Sequence, residues 1–172
     1  MAAWLAACGG GGRGSTAAPN PAQVEADAAA LGSLLDAERT AIAAYRLGSE
    51  RLRGSGRGLM HRFLAQEQAH ERALEGGIRS LGHSPSRPRP DAFYATGFPR
   101  LSGTDAVLRF ALDVENTQIA AYQDALTTVT TPAVRATLGS ILAVEAQHQS
   151  VVLGKLHEPQ APFALVKGSR PT

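Results

Sequence analysis

The sequence contains few cysteine, aromatic or lysine residues. Its single cysteine, Cys8, cannot form an internal disulfide, and it disfavours zinc and iron–sulfur sites built from several thiolates. No apolar run approaches the roughly 18 residues that a membrane-spanning helix requires. Lysine occurs only at Lys155 and Lys167, and the net charge of +2 is spread without a basic arm, so nucleic acid is not an expected partner.

Small and aliphatic residues are abundant instead. Hydrophobic residues make up 44% of the 172 residues, many of them Ala and Leu, which suit closely packed helices. Apolar residues recur at steps of three and four in four segments, at about 23–53, 58–81, 104–129 and 132–157. The middle connection, 83–103, is long and contains four prolines. The sequence therefore predicts an all-α four-helix bundle, two antiparallel helical hairpins joined by a long crossover.

Two motifs occur twice in the chain. The segment E-R-T-A-I-A-A-Y begins at Glu38, and E-N-T-Q-I-A-A-Y begins 77 residues later at Glu115. The segment L-A-Q-E-Q-A-H at 64–70 returns 78 residues later as L-A-V-E-A-Q-H at 142–148. Each half of the chain thus supplies one lone glutamate followed by one Glu-x-x-His.

Helix geometry predicts that these residues meet. At 1.5 Å per residue, the chain rises roughly 21 Å from Glu38 to the turn near residue 52 and returns roughly 18 Å to Glu67, so the two glutamates lie at similar height. The same count brings Glu115 level with Glu145. The i, i+3 spacing places each motif glutamate and its histidine on one helix face.

The acidic residues lie on apolar stripes, which face the core. Burying one unpaired carboxylate costs several kcal/mol, and four together would also repel one another. Two divalent cations would balance four such charges. We therefore predict a two-metal site for Fe or Mn, with Zn as a further option. Its predicted ligands are Glu38, Glu67, His70, Glu115, Glu145 and His148.

This ligand order resembles that of the ferritin-like superfamily of di-iron carboxylate proteins, over about residues 24–157. Within it, the chain is similar to bacterial secreted or lipoprotein ferritin-like domain proteins. The resemblance implies that Glu67 and Glu145 bridge two iron ions, that Glu38 and Glu115 are terminal ligands, and that each histidine binds one ion.

Tyr45 and Tyr122 match tyrosines that many such proteins place beside the site. The resemblance implies that they hydrogen-bond a ligand or supply an electron to the reaction. Two core aromatic residues, each with a partner for its hydroxyl group, is an equally good interpretation.

Two functions follow from the resemblance. In the first, two Fe ions, or Mn in a catalase-like variant, react with O2 or peroxide, as in a ferroxidase or a peroxidase-type oxidoreductase. In the second, a non-catalytic protein tethered in the cell envelope binds metal for structure or for tolerance of stress or desiccation. Storage in a ferritin shell is not expected, because little chain follows the fourth helix; the oligomeric state stays open.

The N-terminal segment has its own resemblance. Leu5-Ala-Ala-Cys8, followed by glycines, resembles the lipobox of bacterial lipoproteins, in which the cysteine becomes lipidated. Only seven residues precede Cys8, fewer than a signal peptide needs, so a start upstream of Met1 would have to supply the rest. An ordinary cysteine in an Ala/Gly tail is the alternative.

We accordingly predict a flexible leader and membrane tether at 1–22, a bundle at 23–157 and a disordered tail at 158–172. The predicted location is outside the cytoplasm, with the cytoplasm as the alternative.

Overall fold

The structure, a computed structural model, describes residues 20–161 and Gly168. These residues form five α-helices and no strand: α1 (Pro21–Arg51), α2 (Gly54–Ser80), α3 (Asp91–Tyr94), α4 (Gly103–Thr128) and α5 (Pro132–Lys155). Helix α1 packs against α2 and α4, and α4 packs against α5. Short connections join α1 to α2 and α4 to α5, whereas a long crossover containing α3 joins the two hairpins. The predicted all-α four-helix bundle is confirmed.

Two helix starts differ from the prediction. Helix α1 begins at Pro21, so residues 21 and 22 belong to the bundle and not to the leader. The side chain of Asn20 accepts a hydrogen bond from the Ala22 N–H at 3.0 Å, and proline suits the first helical position because its φ is fixed. Helix α2 begins at Gly54, four residues before the predicted start at about 58. Gly54 adopts a φ of +55°, which turns the chain within two residues of α1.

The predictions about the termini lie largely outside the described residues. The described part omits residues 1–19, which include Cys8, and residues 162–167 and 169–172. Helix α5 ends at Lys155, slightly before the predicted end at 157. Within the described part, no helix combines the length and the apolar character needed to cross a membrane.

Two apolar clusters fill the bundle, one toward each end. The first contains Leu31 and Leu138, and the second contains Leu59 and Phe63. Tyr122 belongs to the first cluster and Tyr45 to the second. The polar residues at mid-height therefore lie between two apolar layers, which exclude water from the two ends of the bundle.

A buried aspartate ties the two hairpins together. Asp27 on α1 is 1% exposed and accepts hydrogen bonds from the backbone N–H groups of Thr130, at 2.9 Å, and Thr131, at 2.7 Å. Burial alone would raise the pKa of Asp27, but the hydrogen bonds from both threonines outweigh it and lower the pKa. Asp27 thus caps the N-terminal end of α5 from a different helix.

A buried arginine fixes the crossover to the bundle. Arg39 on α1 is 3% exposed, and its guanidinium donates to Glu71 of α2 and to Ser86 of the crossover, each at 2.8 Å. Since Arg39 follows Glu38 directly, this anchor also fixes the rotation of α1 at the height of the acidic residues.

Candidate metal centre

All six predicted ligand residues lie near the middle of the four long helices. The four glutamates are 0% exposed, and the two histidines are 7% and 3% exposed. Helix α1 supplies Glu38, α2 supplies Glu67 and His70, α4 supplies Glu115, and α5 supplies Glu145 and His148.

One half of the cluster surrounds His70. Its Nδ1 lies 2.9 Å from Oε1 of Glu145, 3.3 Å from Oε2 of Glu67 and 3.7 Å from Oε2 of Glu38. One ligand atom from each of these four residues lies within 4.8 Å of the others, which is close enough to hold a single ion.

The other half surrounds His148. Its Nδ1 lies 3.2 Å from Oε1 of Glu67, 3.3 Å from Oε2 of Glu145 and 3.5 Å from Oε2 of Glu115. Glu67 and Glu145 therefore each direct one oxygen to His70 and the other to His148. Two sites that share two carboxylates in this way have the geometry of a dinuclear centre.

Each of the two tyrosines is hydrogen-bonded to a glutamate from the other half of the chain. The Tyr45 hydroxyl on α1 donates to Oε1 of Glu115 on α4, and the Tyr122 hydroxyl on α4 donates to Oε1 of Glu38 on α1. Each bond fixes one oxygen of a lone glutamate and leaves Oε2 facing the histidines. The structure thus places both tyrosines against predicted ligands; an electron-donating role stays a prediction.

Several of these buried atoms have no hydrogen-bond partner. Among the described residues, they include Oε2 of Glu38 and Glu115, Oε1 of Glu67, both carboxylate oxygens of Glu145 and Nδ1 of His148. Leaving buried polar atoms unpaired is costly, and here they converge on two points. Oxygen and imidazole nitrogen donors suit Fe, Mn or Zn, so the residues present fit two divalent cations.

Burial and mutual repulsion raise the pKa values of two of the acids when no cation is bound. Burial, with repulsion from Glu145, raises the pKa of Glu115 to about 8. Burial, with repulsion from Glu67 and Glu145, raises the pKa of Glu38 well above its usual range. Burial also raises the pKa of the Tyr122 phenol, which therefore stays a hydrogen-bond donor to Glu38.

The histidines respond in the opposite sense. Burial favours neutral imidazoles, but the glutamate oxygens around each ring, which can accept from a protonated imidazole, outweigh it and raise the pKa of His70 to about 12 and that of His148 to about 11. Burial likewise disfavours an ionised Glu67, but the nearby rings of His148 and His70 outweigh this effect and lower the pKa of Glu67 to about 2. These raised pKa values predict that both histidines hold protons in the metal-free protein and release them when a metal binds.

A residue beside the ligands distinguishes the two halves. Gln66 accepts, through Oε1, a hydrogen bond from Nε2 of His148 at 2.9 Å, which leaves Nδ1 to face the cluster. Phe63 stacks on the same imidazole, with ring centroids 4.0 Å apart and planes 23° apart. We did not predict a role for Gln66; the available signal was that the repeat has Val144 at the matching position.

The fold and the site together define the class of helical bundles with a carboxylate-rich, di-metal type of site. The model of the ferritin-like domain family matches residues 26–158, and the chain belongs to this family, as the resemblance predicted. In a comparison with curated proteins, no sequence matches the chain.

Three solved structures show the same fold. A conserved hypothetical protein from Mycobacterium tuberculosis is 19% identical, with a TM-score of 0.67 over 76% of this chain and 97% of that chain. A dodecameric thioferritin, the bacterioferritin-related protein from Bacteroides fragilis, is 17% identical, with a TM-score of 0.68 over 78% and 86%. Ferritin-like, diiron-carboxylate proteins from Bacillus anthracis are 19% identical, with a TM-score of 0.63 over 78% and 97%.

Proposed function

We propose that this protein binds two iron ions between its four central helices and oxidises Fe(II) with O2 or peroxide, or removes peroxide by the same chemistry. One observation carries the proposal: Glu67 and Glu145 each direct one carboxylate oxygen to each histidine. When bound, two Fe(II) ions would supply one electron each; with two protons, these electrons would reduce O2 to hydrogen peroxide, or hydrogen peroxide to two water molecules.

The chain's own residues set the conditions for this reaction. Four glutamates provide four negative charges, which two divalent cations would neutralise in a dry site. The apolar clusters at both ends exclude water, and the hydroxyl groups of Tyr45 and Tyr122 hold the lone glutamates in place. We propose His70 and His148 as the nitrogen ligands; in this role each would lose the proton on Nδ1 and present a lone pair.

A structural role for the metal is the second candidate. The complete burial of all four glutamates favours it, because ions held there would stabilise the bundle without any reaction. Manganese in place of iron is compatible with the same ligands.

Three further parts of the proposal concern the protein's surroundings. A membrane tether through a lipidated Cys8 and a location outside the cytoplasm rest on the N-terminal sequence alone. One of the similar structures is a dodecamer, and we propose that this chain also forms an oligomer. Its mass in solution, measured by light scattering, would test this.

The reaction can be tested with purified, metal-free protein. After anaerobic loading with two equivalents of Fe(II), adding O2 or peroxide should consume the oxidant and produce near-ultraviolet ferric absorbance. Glu67→Ala should abolish both signals, because it removes a ligand from each half, whereas Glu50→Ala, at an exposed position on α1, should leave them unchanged. Tightly bound iron without turnover would favour the structural role, and binding of neither iron nor manganese would refute both.

A further inference from the structure

The two halves of the cluster differ in their access to solvent. A groove of about 460 Å³ lies between α2 and α5, and His70 lines it. Its other lining residues are mostly small, and they include Ala69, Ala73, Thr137, Ser140 and Val144. A ligand of the candidate metal centre that is more than nine-tenths buried therefore lines a space open to solvent.

The internal repeat shows that the residues lining this groove differ from those at the matching places around His148. Each of these five residues has a bulkier counterpart 78 positions away, whereas a sixth lining residue, Ala136, matches Gly58. In the order given above, the five bulkier counterparts are Gln147, Val151, Leu59, Arg62 and Gln66. Of these counterparts, Gln66 contacts His148 directly, Leu59 is buried, and Gln147, Val151 and Arg62 are exposed.

The contacts of the two histidines also differ, and they hold His148 more firmly than His70. Nε2 of His148 is hydrogen-bonded to Gln66, and its ring is stacked on Phe63. At the position that matches Gln66, the His70 half has Val144, whose side chain has no polar atom to accept a hydrogen bond. His148 is therefore held on two sides, whereas the His70 side chain is 9% exposed beside the groove.

We propose that the α2–α5 groove is the route by which metal ions and small oxidants reach the centre, so that the His70 half exchanges its ion while the His148 half retains it. Gln66 is the positioning residue that makes the difference. This inference rests on the proposed two-ion centre. Outer hydrogen bonds to a ligating histidine typically change metal affinity about 10- to 100-fold, which sets the expected ratio of release rates.

Release of Co(II) measures this difference without any enzymatic activity. Full-length, metal-free protein is loaded with two equivalents of Co(II) and mixed with excess EDTA, and the visible Co(II) absorbance is followed. Two phases of equal amplitude are expected, with rates about 10- to 100-fold apart. Glu38→Gln should remove the fast phase and Glu115→Gln the slow one, because each glutamate contacts one half only.

Substitutions that make the surroundings of one histidine resemble those of the other give the sharper test. Val144→Gln would give His70 a hydrogen-bond acceptor like the one that Gln66 gives His148. Ser140→Arg would place a long side chain over the groove at an exposed position. Each substitution should slow the fast phase alone. Gln66→Val should accelerate the slow phase toward the rate of the fast one. Gln68→Val makes the same change on the same helix two residues away, and it should alter neither phase.

The outcomes separate this inference from the two-ion centre itself. If two equivalents bind but leave in a single phase, or if neither Gln66→Val nor Ser140→Arg shifts its phase, the inference is overturned and the centre stands. If the protein does not bind two equivalents, both are overturned. Circular dichroism of each variant identifies any loss of fold, and Ser140→Arg gives an independent result if Val144→Gln does not fold.

Discussion

Glu115→Gln should stabilise the metal-free protein while it weakens metal binding. Glu115 is fully buried, and its pKa is raised from 4.5 to about 8, first by burial and then by repulsion from Glu145. Folding near pH 7 therefore requires a proton that the unfolded chain does not hold. Glutamine has the same shape, needs no proton, and its carbonyl oxygen can still accept the hydrogen bond from Tyr45.

The size of the gain follows from the pKa difference. A raised pKa costs nothing below the unfolded value of 4.5, and the cost grows with pH until the folded value near 8 is reached. At pH 7 the solution is about 2.5 pH units above the unfolded pKa of 4.5, so protonating Glu115 on folding costs roughly 3 kcal/mol. For a chain of this size, this gain would raise the melting temperature of metal-free protein by roughly 6–12 °C.

Thermal unfolding of both proteins, with and without Co(II), from about pH 5 to pH 8, tests this reasoning. The metal-free variant should match wild type near pH 5 and exceed it increasingly toward pH 8, whereas the increase produced by Co(II) should be smaller in the variant. Asp113→Asn removes one charge at an exposed position two residues earlier and should show neither effect. A metal-free variant less stable than wild type at every pH would refute the account.

Three further outcomes are expected. Co(II) affinity should rise with pH, because His70 and His148, with pKa values raised to about 12 and about 11, must lose protons on binding; calorimetry in buffers of different ionisation enthalpy would measure that release, and none would contradict the prediction. Tyr122→Phe should lower the free energy of unfolding by about 1–3 kcal/mol in chemical denaturation, because it leaves Oε1 of buried Glu38 without its donor; an unchanged midpoint would contradict this. Asp27→Ala should cost about 1–3 kcal/mol at neutral pH, measured by urea denaturation, since it leaves the N–H groups of Thr130 and Thr131 without their acceptor. Because the folded pKa of Asp27 is lowered below 3.8, the stability difference between wild type and Asp27→Ala should fade only as the pH falls below about 3.8.

The fold and the convergence of the six residues were predictable because their signals are local. A helix keeps a fixed rise and period, so glutamates on apolar stripes at matching heights must meet once the hairpins close. The charge argument adds a reason for their presence, since four buried carboxylates need cations or protons. The family assignment followed from the same residues.

The features that sequence reasoning missed depend on distant partners. The contacts of Arg39 join residues 32 and 47 positions away in the chain, and no local period marks such pairs. Gln66 lies on the ligand helix, but only the folded structure brings its amide to His148, 82 residues away. At Gly54, a turn and a helix start share one glycine-rich segment, and composition alone does not separate them.

The two-ion centre is tested most directly by anomalous diffraction from crystals of the protein loaded with iron. The account predicts two peaks per chain, roughly 3.5–4 Å apart as in other two-metal sites, both between Glu67 and Glu145, with one beside His70 and the other beside His148. A single peak, peaks away from these carboxylates, or glutamates turned toward solvent would contradict it.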